Sequence, residues 1–148
     1  MLFSGQIPSA LLQLQGVVDG VKECGSVFKV RREGSTSLCP SEYGLYFQDA
    51  QGRDAFWFGV WTLFWTEHRF PLCFGVAERW GPEVMEAFLR TYKGPTRQFK
   101  HGYTVGWIDQ QTMAGGNAVN AVWSVLAPVI EATVAAGSGR ASPLGSDV

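Results

Sequence analysis

Residues 55–65 read AFWFGVWTLFW, and this stretch decides the fold. Eight of its eleven residues are large and apolar. Because successive side chains of a strand point to opposite sides, they fill both faces of an extended chain. Such a strand lies in the middle of a sheet, covered on both sides or covered on one side and occupied on the other. The sequence therefore predicts a central strand at 55–65.

Shorter strand patterns lie on either side of this stretch, at 27–32, 43–48, 71–76 and 103–108. The first four strands are joined by connections too short for a crossover, which favours an antiparallel meander. In the first of them, Lys29 and Arg31 alternate with Phe28 and Val30, which indicates a strand with a basic outer face.

Helix patterns precede, interrupt and follow the strands. The first pattern covers 7–23. The second begins at Gly81-Pro82-Glu83, and its buried stripe consists of Val84, Phe88, Leu89 and Tyr92. The third begins at Asn117, and Pro128 should kink or split this last helix. We therefore expect a single α+β domain over 1–136: a meander of four to five strands, with the three helices packed on one or both faces. The composition of 137–148 predicts a disordered tail.

Composition narrows the class of protein. The chain has 148 residues, of which 46% are hydrophobic, 17% charged and 14% aromatic. These values exclude a disordered tail protein, a coiled coil and a collagen-like repeat. A formal charge of −1 gives no overall attraction to nucleic acid or to a membrane.

The cysteines and the N-terminus indicate a cytoplasmic protein. Cys24, Cys39 and Cys73 are an odd, widely spaced set that suits neither a disulfide framework nor a metal site, and Cys73 reads as a buried residue. The N-terminus has no signal-peptide pattern, and we expect no apolar stretch to reach the length of a membrane span. No cofactor is implied.

Tryptophans recur every four residues in the central stretch, at Trp57, Trp61 and Trp65. On one strand these residues share a face, and aromatic faces bind ligands and partners at a low entropic cost. We therefore take them, with Arg69, as candidate ligand-binding residues. The alternative is that they are ordinary core residues, which is the commoner role of tryptophan in a small domain.

Two further groups of residues carry candidate chemistry. Glu67 and His68 in the turn before 71–76, together with Asp109, are the candidates for acid–base catalysis. The segment 90–101 combines positive charge with aromatic residues and no acid, which is typical of a phosphate or single-strand contact. The anion-binding candidates are Arg31, Lys93, Arg97, Lys100 and His101.

Several known motifs are missing from the sequence. There is no Walker A loop, no G-x-G-x-x-G after a strand, no G-x-S-x-G and no H-E-x-x-H. Gly115-Gly116-Asn117 at a helix start reads as a loop with Asn117 as the helix cap. Asp49 and Asp54 flank a hairpin, but no D/E-x-K triplet follows on the next strand, which argues against a metal-dependent nuclease.

The strand segments 43–47, 56–61, 63–65 and 71–76 resemble those of a group of uncharacterised bacterial proteins with an aromatic-rich sheet domain. Some similar stretches accompany restriction-type nuclease domains of the PD-(D/E)XK class. This resemblance covers about a third of the chain and implies a bacterial or phage defence or counter-defence context, without the catalytic motif.

The residues together favour a non-catalytic binding module over an enzyme. The expected partner is a protein or a phosphate-bearing ligand, as for an immunity protein, an antitoxin or a defence accessory. Two alternatives stay open. One is a small hydrolase or nuclease-like enzyme built on Glu67, His68 and the basic segment; the other is an obligate homodimer that buries its tryptophans without a ligand.

Overall fold

A computed structural model of the chain describes residues 3–33, 42–61, 72–99, 102–113 and 117–139. Six antiparallel strands form one sheet: β1 (Lys29–Glu33), β2 (Glu42–Gln48), β3 (Asp54–Trp61), β4 (Leu72–Ala77), β5 (Arg97–Phe99) and β6 (Tyr103–Trp107). The helices are α1 (Phe3–Cys24), α2 (Pro82–Thr91), α3 (Gln110–Met113) and α4 (Ala118–Gly139), and a 3₁₀ turn (Glu78–Trp80) precedes α2. The α+β class is confirmed.

The central strand is where the sequence places it. β3 is third in the sheet order β1-β2-β3-β4-β6-β5, and its residues 55–60 are all buried. It ends at Trp61, and the remainder of the predicted strand, 62–65, lies outside the described residues. An apolar run on both faces therefore does mark a central strand, with a neighbouring strand on each side and buried side chains.

The sheet has one strand more than the four to five predicted, and it is not a simple meander. β5 comes from within the basic segment, pairs only with β6 and forms one edge of the sheet. β6 then returns to pair with β4. β5 has only three residues, two of them exposed, so its sequence shows too little hydrophobic pattern to distinguish it from a loop.

All three long helices cover the same face of the sheet. α4 lies between α1 and α2 and packs on β2 and β3, while α2 packs on β4. The side chains beneath them are mainly phenylalanines with no exposed surface: Phe47, Phe56, Phe58, Phe74 and Phe88. Edge-to-face contacts join Phe74 to Phe88, with ring centroids 6.1 Å apart, which is the geometry that aromatic quadrupoles favour. Of the two predicted arrangements, the structure has the one in which the helices pack on a single face of the sheet.

Three details of the helices differ from expectation. Leu89 is 47% exposed, so the buried stripe of α2 uses Ala87 in its place. Pro128 does not split the last helix, which is continuous from Ala118 to Gly139, because Pro128 lies on the exposed side. Water can there bind the carbonyl that proline leaves without a partner. The helix also covers residues 137–139, so those three do not belong to the predicted tail.

α4 also corrects the expectation that no apolar stretch reaches membrane-spanning length. It has 22 residues with Glu131 as its single charge, and it is the one helix among the described residues that is long and apolar enough to cross a bilayer. Its six buried residues, which include Leu126 and Ile130, pack in the core of the domain. A core helix passes the same test of length and composition.

Candidate functional site

The second face of the sheet, which we call the open face, carries a row of residues with an arginine at each end. The strand registers align Arg31 of β1, Tyr46 of β2, Trp57 of β3, Gly75 of β4, Val105 of β6 and Arg97 of β5. Directly paired residues of an antiparallel sheet share a face, so all six lie on the same side. None of the long helices packs on this side in the part of the chain that the structure describes, yet the middle of the row is buried: Tyr46 and Trp57 are each 8% exposed and Val105 is 3% exposed.

Two glycines shape the middle of the open face. A Cβ on Gly44 would lie 2.6 Å from Nε1 of Trp57, so the indole ring can lie flat on the strand only because that position has no side chain. A Cβ on Gly75 would collide with the carbonyl oxygen of Thr104 on the neighbouring strand. Glycine therefore permits the close approach of β4 and β6.

An apolar cleft lies over this row. Tyr46, Trp57, Trp61, Tyr103 and Val105 line a cavity of about 80 Å³, which we call the aromatic cleft. Trp57 and Tyr46 are each only 8% exposed, whereas Trp61 and Tyr103 are partly exposed. Of the predicted tryptophans, Trp57 is therefore a core residue whose edge reaches the cleft, and Trp61 offers more of its ring to solvent.

A larger groove, of about 620 Å³, adjoins the cleft and contains three arginines. We call it the arginine groove. Arg31 stacks on the ring of Tyr46 at 4.1 Å, and its Nη2 donates to Oδ2 of Asp54 at 2.9 Å. Arg79 lies 5.0 Å from the ring centre of Tyr103 and donates from Nη2 to its hydroxyl at 2.7 Å. Aromatic rings thus hold two guanidinium groups in place on the groove wall.

Trp80 connects the arginine groove with the aromatic cleft. It lines the groove, and its ring meets Tyr46 on one side (6.0 Å between centroids) and Tyr103 on the other (6.1 Å). Arg31 lies against the first tyrosine and Arg79 against the second. The result is a wall of three aromatic rings with a cation at each end.

The third arginine of the groove, Arg53, holds the β2–β3 turn to α4. Its Nε donates to Oδ2 of the buried Asp49 at 2.9 Å, and its Nη2 donates to the carbonyl of Gly137 at 3.0 Å. The other oxygen of Asp49 accepts the backbone N–H groups of Gln51 and Arg53, both at 2.9 Å. Asp49 is therefore a turn anchor, and its oxygens are committed to the turn.

Of the predicted catalytic residues, only Asp109 lies within the described part of the chain. Glu67, His68 and Arg69, like Trp65, lie outside the described residues. Asp109 caps α3: its Oδ1 accepts the backbone N–H and the hydroxyl of Thr112, each at 2.8 Å. These two bonds hold the pKa of Asp109 below its usual value, as expected for a carboxylate at a helix N-terminus.

The predicted anion-binding residues are distributed over different parts of the molecule. Arg97 lies on the open face at the β5 edge, whereas Arg31 lies at the opposite edge. Lys93 follows α2, where its Nζ donates to the carbonyl of Leu89 at 3.4 Å. Lys100 and His101 lie outside the described residues. Arg31 and Arg97 therefore lie on the two edge strands, at opposite ends of the strand order.

The side chain of Tyr92 holds the chain segment between Lys93 and Arg97 in place. Its hydroxyl donates to the carbonyl of Pro95 at 3.1 Å, and its ring packs edge-on against Phe74 at 4.9 Å. Burial raises the pKa of Tyr92. This tyrosine is thus a structural residue that fixes the path of the chain towards β5.

Sequence reasoning missed Arg79 and Trp80, although they are central to the arginine groove. Nothing near Arg79 in the sequence points to a site. The one local signal is the position of Trp80 directly before Gly81-Pro82. The start of α2 at Pro82 fixes the direction of the chain at this tryptophan. Their partners, Tyr46 and Tyr103, are more than twenty residues away in sequence.

No group of three or more histidine, cysteine, aspartate or glutamate side chains that could hold a metal ion occurs within the described ranges. Comparison with known protein families, with curated proteins and with solved structures gave no match. The proposals below therefore depend on the geometry of the chain itself.

Proposed function

We propose that this protein is a non-catalytic binding protein that holds a phosphate-bearing ligand in the arginine groove. The observation that carries the proposal is the pair Arg31 and Arg79, each held against a tyrosine on either side of Trp80. A guanidinium whose position is fixed by stacking loses little conformational entropy when it binds a phosphate oxygen.

The shape and surroundings of the groove support this proposal. Its volume of about 620 Å³ lies within the usual range for small-ligand sites. Gly81 and Pro82 at the start of α2 also line it, and no side chain caps this helix end. The partial positive charge of a helix N-terminus adds to that of the arginines, and Glu83 in the first turn of α2, which lines the same groove, offsets part of it.

The carboxylates near the groove favour binding over hydrolysis. Asp49 is fully buried against Arg53, and Asp54 accepts hydrogen bonds from Arg31 and Gln48. The arginine and backbone hydrogen bonds therefore occupy oxygens of both carboxylates. We therefore assign both to the positioning of arginines.

The resemblance of the strand segments to bacterial proteins found beside restriction-type nucleases supports a cellular context. A cytoplasmic role as an immunity protein, an antitoxin or a defence accessory fits a small domain that binds a phosphate-bearing ligand. In that context the phosphate would belong to the molecule that the defence system recognises.

Titration calorimetry with thymidine monophosphate and with thymidine tests the proposal. We expect the nucleotide to bind more tightly than the nucleoside, and Arg79→Gln to lower its affinity by about tenfold or more, because a charged hydrogen bond contributes about 1.5–3 kcal/mol. Arg90→Gln is the matched control, since Arg90 is exposed on α2. Equal affinity for nucleotide and nucleoside, or an Arg79→Gln variant that binds like the wild type, would overturn the proposal.

A further inference from the structure

We propose that the exposed side of α2 is an interface between two copies of this chain, which pair their α2 helices antiparallel about a two-fold axis. A row of apolar side chains runs along that side. Leu89 is 47% exposed, Met85 is partly exposed, and Pro82 begins the row at the start of the helix. Their spacing of three and four residues puts them on one side of the helix. This inference does not depend on the phosphate ligand.

The apolar row forms a ridge between two grooves. Met85 and Leu89 line both a groove of about 550 Å³ and a second groove of about 470 Å³. Charged side chains of α2 border the first groove, whereas β5 and β6 border the second, where Gln98 and Phe99 line it. A ridge with a groove on each side fits a copy of itself, because a two-fold rotation places the ridge of each copy in a groove of the other.

The charges on this side of α2 are also self-complementary. Glu83 and Glu86 lie in the first half of the helix, whereas Arg90 lies in its last turn and Lys93 follows its end. Glu86 and Arg90 are one helical turn apart, yet neither forms an ion pair with any residue that the structure describes. An antiparallel copy brings its basic half to this acidic half, and the reverse holds at the other end. This symmetry favours a second copy over an unrelated partner.

The spacing along α2 defines a register for the pair. With the two-fold axis at the level of Ala87, Met85 of one copy lies level with the partner's Leu89. Glu86 then lies two residues, about 3 Å along the helix axis, from the level of the partner's Arg90. Packed helices are about 8–10 Å apart, so these long side chains can reach each other. Each dimer therefore contains this ion pair twice.

The size of the surface predicts a weak dimer. α2 has ten residues and is therefore about 15 Å long. Stable complexes bury about 800 Å² on each partner, which is more than one short helix supplies. We therefore expect a dissociation constant on the order of 10–100 μM.

Sedimentation velocity at protein concentrations from about 5 to about 500 μM tests the inference, since this range spans the expected dissociation constant. We expect the wild type to pass from monomer to dimer. Leu89→Asp should remain monomeric, because it places two carboxylates in the apolar centre of the interface. Val125→Asp is the matched control: Val125 is also an exposed apolar residue, 37% exposed, but it lies on α4, so this variant should dimerise like the wild type.

Charge reversal tests the antiparallel register. Glu86→Lys and Arg90→Glu should each weaken the dimer by about fivefold or more, because each places like charges together twice. An equimolar mixture of the two variants should dimerise like the wild type, because opposite charges then meet at both ends. A wild type that stays monomeric throughout would overturn the inference and leave this side of α2 to a different partner. A mixture no better than its components, or a Val125→Asp variant as weak as Leu89→Asp, would also overturn it.

Discussion

The two faces of the sheet use aromatic residues differently. The helix-covered face is filled by phenylalanines without exposed surface, such as Phe56 and Phe74. The open face carries mainly tyrosine and tryptophan, and arginines stack on two of the tyrosines. Phenylalanine has no polar atom to satisfy, whereas tyrosine and tryptophan each need a hydrogen-bond partner. The comparison indicates that the first face is closed core, whereas the second places polar aromatic rings beside the arginine groove.

The largest expected difference between the faces is in stability. Phe56→Ala removes a ring from a closed core and should lower the free energy of unfolding by about 3–5 kcal/mol. Phe99→Ala removes the same ring from the partly exposed edge strand β5 and should cost less than about 2 kcal/mol. Urea denaturation of both variants measures this difference, and equal losses would contradict the division into a closed core face and a partly exposed face.

The two aspartates of the β2–β3 hairpin provide the next comparison. Asp49→Asn should cost about 2–3 kcal/mol, because the carboxylate is buried and accepts three hydrogen bonds. Asp54→Asn should cost less than about 1 kcal/mol, because its partner Arg31 is 45% exposed. Thermal denaturation distinguishes them, and an Asp54→Asn variant that is the less stable of the two would show that the rim of the groove is structural.

Glycine substitutions test the shape of the open face. Gly75→Ala would place a methyl group against the carbonyl oxygen of Thr104 and should destabilise by about 1–3 kcal/mol. Gly16 in α1 is the matched control: no atom lies within 4 Å of the added methyl group, and Gly16→Ala should stabilise by about 0.5–1 kcal/mol. Calorimetric melting temperatures should move in opposite directions, and a stabilising Gly75→Ala would refute the close approach of β4 and β6.

The smallest expected effect concerns Asp109. Because its folded-state pKa is lowered, the ionised carboxylate stabilises the fold at pH values above its unfolded pKa, and this contribution is lost as the pH falls through the folded pKa. Asp109→Asn should therefore be less stable than the wild type at neutral pH, and the two should converge in acid. Denaturation curves between neutral pH and about pH 2 measure this. A constant difference at every pH would contradict the assignment of Asp109 as a helix cap.

The sequence predicts the parts of this fold that local pattern determines. A run of apolar residues on both faces identified β3, and proline after glycine identified the start of α2 at Pro82. Asn117 caps α4 as predicted, with its Oδ1 accepting the N–H of Asn120 at 3.1 Å. In each case, neighbours in sequence supply the physical cause.

The arginine groove could not be predicted in this way, because its parts meet only through the register of distant strands. Arg31, Trp80 and Tyr103 come from three separate elements, and no spacing in the sequence relates them. β5 is too short and too polar to show a strand pattern. The tryptophan series did point to the open face, but the residues that hold the arginines are the tyrosines Tyr46 and Tyr103.

The most direct test of the account is to follow the tryptophan indole N–H signals by NMR while thymidine monophosphate is added. Trp80 lines the arginine groove, whereas Trp123 packs near Gly25 on the helix-covered side. We predict that the signal of Trp80 shifts and that the signal of Trp123 does not. A shift of Trp123 equal to that of Trp80, or no shift at Trp80, would contradict binding in the arginine groove.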